Sequence, residues 1–584
     1  MKKLYLLLIL LVFASFGFRG NSPILTKEIN TLFSQKDTSI AIDSLLVNSY
    51  KDEVLKKFYK SHQYQTVWTS KDQRDCLINE IEKAEEEGLQ TSDYNYTKLK
   101  NWESQYHSLA DSTIIRYDVL LTQSAQKYIS HLSKGKLNPR LLYKDWDLKV
   151  KKIDINSLLD KGIFKDSLKY VIENSKPNHI VYKKLKRCLK LLREYPEESI
   201  GLVNLQLKLV PNCKSNYMPI IKKRLAFWGD LKETDSIPTS LYDKKTQDAV
   251  KLFQSRHGLR ADGIIARGTI EALNYSRNQR IEQVVANLER WRWFPHDFAN
   301  HYLLINIPDY NLVAVKSNDT LQTQRIVVGK DTRKTPILTS KISNILLNPN
   351  WTVPPTILKE DIYPEAEKNK GIFKKKGLSI IDSKNQEVNP WTWKIEDANN
   401  YKYVQKPGRN NSLGVMKINF PNNYSVYLHD TNHRNYFGFS YRSLSSGCVR
   451  LERPLEMAAY LLNDEEQWNI KKLKDTTNIN HYIKLQQQLE LDIAKRNAKL
   501  LAKNPKLILK KTVFEKPELK TININIKEDI YLYQLYWTAW EDKGTLQFRE
   551  DIYCVDLDLY SKLRYKNIPA IVTKPKIVDK YYSN

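Results

Sequence analysis

Cysteine is scarce in this chain of 584 residues, with five in all: Cys76, Cys188, Cys213, Cys448 and Cys554. Their spacings match no metal ribbon and are too sparse to staple a small secreted scaffold. An odd count leaves at least one thiol unpaired within the chain, which flags a reactive cysteine. Whether Cys188 and Cys213 pair stays open. A P-loop, a zinc-finger spacing, an RNA-binding signature and any long biased tract are also missing. What remains is a globular chain with 41% hydrophobic residues, too long for one core, so three or four domains are expected. Lys and Arg number 93 against 66 Asp and Glu, a formal charge of +27. Without a nucleic-acid motif this charge fits an anionic membrane or an acidic cell wall as partner, or simply a soluble Lys-rich surface.

Residues 1–20 open on Met-Lys-Lys and carry no charge from Leu4 to Phe18. That run is shorter than the roughly 20 residues of a membrane span and fits a signal peptide. No small-x-small cleavage site stands out, so an uncleaved N-terminal membrane anchor is the other reading. No Cys follows the segment to take a lipid.

Residues 30–210 read as a helical scaffold domain, with few Gly, short apolar repeats as in 114–132, and a helix stop at Lys134-Gly135 before Pro139. Residues 217–275 read as three short helices. Asp243 caps the second, Gly258 ends it, and Asp262-Gly263 turns into the third. Residues 280–475 open on a helix and become strand-rich, with a hairpin at Asp309-Tyr310-Asn311 and strands at 325–330, 342–347 and 424–428. Within them, 360–411 is Lys-rich and marked by Gly371, Gly377, Pro390 and Gly408. An insertion of that length is a lid or a disordered loop, and we take it as a lid. Pro454 opens a helix through Leu462. Residues 476–520 form a Lys-rich helical insertion, solvated and ended by Asn504-Pro505. Residues 521–584 carry a hairpin turning at Asp542-Lys543-Gly544, which returns to the strand-rich domain.

Chemistry concentrates in 424–454, YSVYLHDTNHRNYFGFSYRSLSSGCVRLERP. Strand alternation places Val426 and Leu428 on one face and Tyr427 and His429 on the other. Ser445-Ser446-Gly447-Cys448 is a turn of small residues. Gly447 allows close backbone approach there, and successive N–H groups suit an oxyanion. A free thiol is only a few per cent ionised at neutral pH; an imidazole in reach takes its proton and later returns it to a leaving amine. Cys448 and His429 therefore meet the minimum for acyl transfer through a thioester. They also read as core residues. With Asp430 and His433 they supply the atoms of a zinc site, although the turn-like Asp430-Thr431-Asn432 spoils the i, i+4 geometry.

The whole motif, HDT…SSGCVRLE, resembles that of L,D-transpeptidases: a His followed after a loop by Ser-x-Gly-Cys-Val/Ile-Arg. The likeness extends through ANLERWRWFP, YLLINIPDYNL, VVGKDTRKTPILTSKISNILLNPNWTVPPTI, PGRNNSLGVMKINFPN and YWTAWEDKGTLQFREDIY. YDKKTQDAVKLFQSRHGLRADGIIARGTIEALN resembles the three-helix peptidoglycan-binding module, with Ala266-Arg267 where that family has Gly-Pro. Together with the helical first half, the chain resembles the large periplasmic murein L,D-transpeptidases of Gram-negative bacteria. The resemblance implies a multidomain α+β chain: a mixed β-sheet catalytic domain with a lid insertion, a helical N-terminal scaffold domain and the three-helix module. It implies Cys448 as nucleophile, His429 as base, and the N–H groups of Gly447 and Cys448 as oxyanion donors. Tyr427 lines the cleft, and Arg450 fixes substrate or braces the loop. Ser446 stands where smaller members carry a second His, leaving His429 alone as base. Trp351, Trp391 and Trp393 contact glycan or pack. The implied partners are peptidoglycan tetrapeptide stems, as donor and acceptor, in the periplasm. No metal, organic cofactor or nucleic acid is implied. The acceptor, whether stem amine, water or lipoprotein, is not chosen by the sequence.

Overall fold

The computed structural model describes residues 39–143, 146, 148, 151–232, 239–503 and 517–564. The candidate signal peptide or anchor and the Asn504-Pro505 helix stop lie outside them. Among the described residues no helix is long and apolar enough to cross a membrane. The chain divides into two compact units, one from residues up to 85 with 90–130 and 153–175, the other from 86–89, 131–152 and 176 onward.

The first unit is helical. Its helix Asp111–Lys134 supplies Asp118, a buried carboxylate that accepts from Tyr59 Oη at 2.6 Å and from the N–H groups of Val67 and Trp68 at 2.8 Å. Those donors make its burial tolerable, although burial still pushes its pKa up to about 6.

In the second unit, the helices Met218–Phe227, Lys244–Arg256 and Arg267–Asn274 form the three-helix module. Asp243 caps the middle helix by accepting from Thr246 N–H at 2.8 Å, and Gly263 takes the left-handed φ of +75° that its turn requires. A long helix, Arg277–Trp293, then leads into the strands.

The strands in chain order are β1 His301–Asn306, β2 Asn311–Lys316, β3 Asp319–Gly329, β4 Leu338–Lys341, β5 Asn344–Leu347 and β6 Trp351–Thr352. Next come β7 Ser379–Ile381, β8 Glu387–Val388, β9 Lys402–Gln405, β10 Met416–Asn419, β11 Leu428–His429 and β12 Ser443–Ser445. The last are β13 Val449–Leu451, β14 Ile522–Asn525, β15 Tyr531–Leu535, β16 Ala539–Asp542 and β17 Thr545–Phe548. Eleven of them form one mixed sheet in the order β14-β5-β10-β11-β13-β3-β2-β1-β15-β4, with β12 beside β3. Leu303, Ile305, Leu312, Ile345, Ile418, Leu428 and Val449 pack into one core on a common face of this sheet. β1 is buried along its whole length rather than alternating, because both its faces are covered.

Three features differ from the sequence reading. The strand expected at 424–428 shrinks to Leu428–His429, because Ser425 turns the backbone with a φ of +54°. The turn at Lys543-Gly544 is present, but it joins only β16 to β17, a separate two-stranded sheet. It is β15 that returns to the main sheet, pairing parallel with β1, as its largely buried side chains require. Finally, the insertion begins at Trp351, earlier than 360. It carries its own four-stranded sheet, β6-β9-β7-β8, and its own core of Phe373, Ile380, Trp393 and Tyr403, so it is a folded subdomain. The Lys-rich helix Ile479–Lys503 buries none of its residues, as a solvated helix should.

Candidate functional site

Strand register builds the site. β10 pairs antiparallel with β11, setting Lys417 opposite His429; β11 pairs parallel with β13, setting His429 opposite Arg450. Opposite residues share a face, and the period of two puts Ile418, Leu428 and Val449 into the core on the other side. Lys417, His429 and Arg450 therefore stand in one row across three strands. Tyr427 and Cys448 lie just before β11 and β13, where Val449 N–H donates to the Tyr427 carbonyl at 3.1 Å. The Tyr427 ring meets the His429 ring edge-on at 5.5 Å, and Tyr427 lies beside Cys448, where its backbone and hydroxyl act to lower the thiol pKa.

The turn carrying Cys448 is braced from three directions. Ser445 Oγ donates to the Cys448 carbonyl at 2.6 Å and accepts from Gly447 N–H at 3.2 Å. Gly447, whose N–H the resemblance assigned to an oxyanion, also supplies the φ of +110° that the turn needs. Thr335 Oγ1 donates to the Gly447 carbonyl at 2.9 Å and accepts from Gly329 N–H at 2.7 Å. Tyr553 Oη donates to the Gly329 carbonyl at 2.7 Å. Gly329 itself leaves no room for a side chain, since a Cβ there would lie 3.0 Å from Gly447 Cα. Next to Cys448, Ser446 Oγ accepts from Arg333 at 2.9 Å. The same guanidinium grips Asp361 at 2.7 and 2.8 Å at the base of the inserted subdomain.

Electrostatics set the protonation states. His429 is buried, and its pKa is pushed down to about 3, first by burial and then by the positive charge of Arg450 and Lys417. Its Nδ1 has no hydrogen-bond partner among the described residues. Burial raises the pKa of Cys448, while Tyr427, Lys417 and Arg450 pull against that rise. Near neutral pH the pair rests as thiol and neutral imidazole, the form in which the ring accepts a proton.

Lys417 is the residue the sequence reading passed over. It sits 3.9 Å from the Tyr427 ring centroid, and its own pKa is lowered by burial, against which Cys448 acts. The signal was present in Met416-Lys417-Ile418-Asn419, where alternation sends Lys417 away from the core. Lys417→Met is expected to move iodoacetamide alkylation of Cys448, followed by peptide mass spectrometry, to higher pH by about one unit. An unchanged profile would remove Lys417 from the electrostatics of the thiol.

Of the other candidates, Arg450 lies with its guanidinium 5.7 Å from the Tyr436 ring centroid, and Asp430 holds a turn rather than the imidazole. Asp430 accepts from Val415 N–H at 3.0 Å and from Arg434 at 2.7 Å. His433 stacks on Tyr436, and among the described residues no three of His, Cys, Asp and Glu converge as metal ligands would. Trp393 is packed inside the inserted subdomain, while Trp391 is exposed. Cys76, Cys188, Cys213, Cys448 and Cys554 are all free thiols.

Residues 300–477 match the family model described as the L,D-transpeptidase catalytic domain. Residues 215–273 match that of a "Putative peptidoglycan binding domain", and residues 53–189 that of a "Scaffold domain". The chain is 29% identical over 332 residues to the "Putative L,D-transpeptidase" of Haemophilus influenzae, a stretch covering 56% of this chain and 58% of that protein. It therefore spans less than two thirds of the length of that relative. Among solved structures it is similar to an L,D-transpeptidase from Xylanimonas cellulosilytica, 14% identical over 45% of this chain and 94% of that one, with a TM-score of 0.15. A second, from Stackebrandtia nassauensis, is 14% identical over 45% of this chain and 91% of that one, with a TM-score of 0.19.

Proposed function

For this chain, which carries an L,D-transpeptidase catalytic domain beside a scaffold domain and a peptidoglycan-binding-type domain, we propose that it forms 3→3 cross-links in peptidoglycan through a Cys448 thioester. The observation that carries the reading is the convergence of Cys448, Tyr427, His429 and Lys417 on one sheet face inside the matched catalytic domain.

In this reading Cys448 Sγ attacks the carbonyl joining diaminopimelate to the terminal D-Ala of a tetrapeptide stem, and His429 takes the thiol proton. The negative charge that develops on the carbonyl oxygen is met by Cys448 N–H and the Tyr427 hydroxyl, with Lys417 favouring it through space. Collapse of the tetrahedral intermediate breaks the C–N bond, and the proton on His429 leaves with D-Ala. The side-chain amine of a second diaminopimelate then attacks the thioester, His429 takes the amine proton, and that proton returns to the departing thiolate. The same residues allow water as acceptor, giving an L,D-carboxypeptidase, or a protein amine, giving lipoprotein attachment. The +27 charge suits an acidic wall polymer in the periplasm. In this reading the subdomain at 351–405 acts as the lid over the bound stem, and its tie to Ser446 through Arg333 supports that role.

The expected result with a disaccharide-tetrapeptide, followed by mass spectrometry, is a dimer with loss of one D-Ala. A monomeric tripeptide as sole product would move the reading to hydrolysis. An unchanged substrate would leave a wall-binding protein.

A further inference from the structure

The sheet face that carries Cys448 has an excess of positive charge. Lys417 and Arg450 flank His429 in one row across β10, β11 and β13, and both cations act on the imidazole and on the thiol. The carboxylates of the surrounding segments are engaged with other groups. Asp430 accepts from Val415 N–H and holds Arg434, Glu452 holds Arg325, and Glu360 and Asp361 hold Arg333.

Lys417 differs from those arginines. It has no hydrogen-bond or ion-pair partner among the described residues; its ammonium faces the Tyr427 ring, 3.9 Å from the centroid. Its cross-strand neighbours, Leu346 on β5 and His429 on β11, bring no negative charge. Burial lowers its pKa, and Cys448 alone acts in the other direction. The side chain is half-buried rather than sealed in, so the cation has lost part of its water and keeps a face open to a ligand. A desolvated cation without a counter-charge is costly, and such a group persists where a ligand supplies the missing charge.

The missing partner is an anion that comes to the thiol. In the transpeptidase reading, on which this inference rests, the acyl donor brings one. The terminal carboxylate of the departing D-Ala is separated from the scissile carbonyl by one N–H and one Cα. The distal carboxylate of diaminopimelate, by contrast, hangs at the end of a flexible side chain. We propose that Lys417 is a specificity-determining residue that pairs with the terminal carboxylate of the donor stem. It thereby reads stem length, because one added residue carries the carboxylate about 3.5 Å further from the scissile bond. When D-Ala leaves, its carboxylate leaves with it, and the ammonium is again unpaired for the second half of the reaction.

The test is calorimetric titration of the full chain carrying Cys448→Ala with a synthetic tetrapeptide stem ending in diaminopimelate-D-Ala, and with the same peptide closed as its terminal amide. The free acid is expected to bind about tenfold or more tightly than the amide. Adding Lys417→Met should bring the acid down to the level of the amide and leave the amide unchanged. Lys417→Arg, which keeps the cation, should restore most of the difference. Thermal melting checks that each variant folds. Equal binding of acid and amide overturns the proposal, as does no binding of either up to about 10 mM or a loss in Lys417→Met that is the same for both. So does a difference that follows amidation of the distal diaminopimelate carboxylate instead of the terminal one. Binding is read without turnover, and dimer formation is measured separately with Cys448 intact. Acid-selective binding without dimers supports the inference and ends the cross-linking reading alone; dimers formed at equal rates from acid and amide end the inference alone.

Discussion

Cys448→Ala is expected to abolish dimer formation and, since a thiol nucleophile should be acylated by carbapenems, covalent capture of a carbapenem as well, a loss of roughly a thousandfold or more in rate. Tyr427 is held far from ionisation by burial, so its hydroxyl is a poor substitute for the thiol. The fold should survive, because the turn is held through main-chain groups. Thr335 grips the Gly447 carbonyl and Ser445 the Cys448 carbonyl, and neither contact involves Sγ. The expected stability cost is about 1 kcal/mol, for the buried packing that the sulfur provides. Intact-mass spectrometry checks the adduct and thermal melting checks the fold. A Cys448→Ala protein that still releases D-Ala and forms dimers would end the thioester reading.

The second large effect is His429→Gln, for which a rate loss of roughly a hundredfold to ten-thousandfold is expected, with the thiol still present but lacking its base. The pH behaviour separates a base from a packing residue. Because the pKa of His429 is held at about 3, the base form persists well below the usual imidazole range, so the acid limb of the wild-type rate should not fall near pH 6.5. The same shift has a stability consequence. Between about pH 6.5 and about pH 3 the unfolded chain binds a proton at His429 that the folded chain refuses, so stability rises with pH across that window and is lost as pH falls. The slope from this one group is about 1.4 kcal/mol per pH unit. His429→Gln removes it, so the variant should be less active at every pH yet resist acid unfolding better than wild type. Circular dichroism across an acid titration reads this directly, and an unchanged acid midpoint would mean that the imidazole is not desolvated as described.

Local pattern made much of this protein legible before its structure. Asp243, Gly258 and the Asp262-Gly263 turn mark the three-helix module because caps and turns are chosen by one or two residues. Alternation through Val426, Tyr427, Leu428 and His429 separates a core face from a site face because a strand's period is two. Lys543-Gly544 turns where it should, for the same local reason. Strand pairing is a different matter, because it joins segments that no local pattern links. The residues 531–556 read as one hairpin, whereas β15 is drawn into the main sheet beside β1 and only β16 and β17 pair with each other.

The sequence by itself thus singled out the residues proposed for the chemistry, Cys448 and His429, and the faces they stand on. The tertiary structure decided their company. Lys417 comes beside His429 only through the pairing of β10 with β11, Arg450 only through β13, and Tyr553 and Thr335 reach the Gly329–Gly447 contact from distant segments. The neutral imidazole is likewise a product of burial. Periodicity tells each strand which way its side chains point, but which strands lie alongside, and how much water they exclude, depends on contacts between segments far apart in the chain.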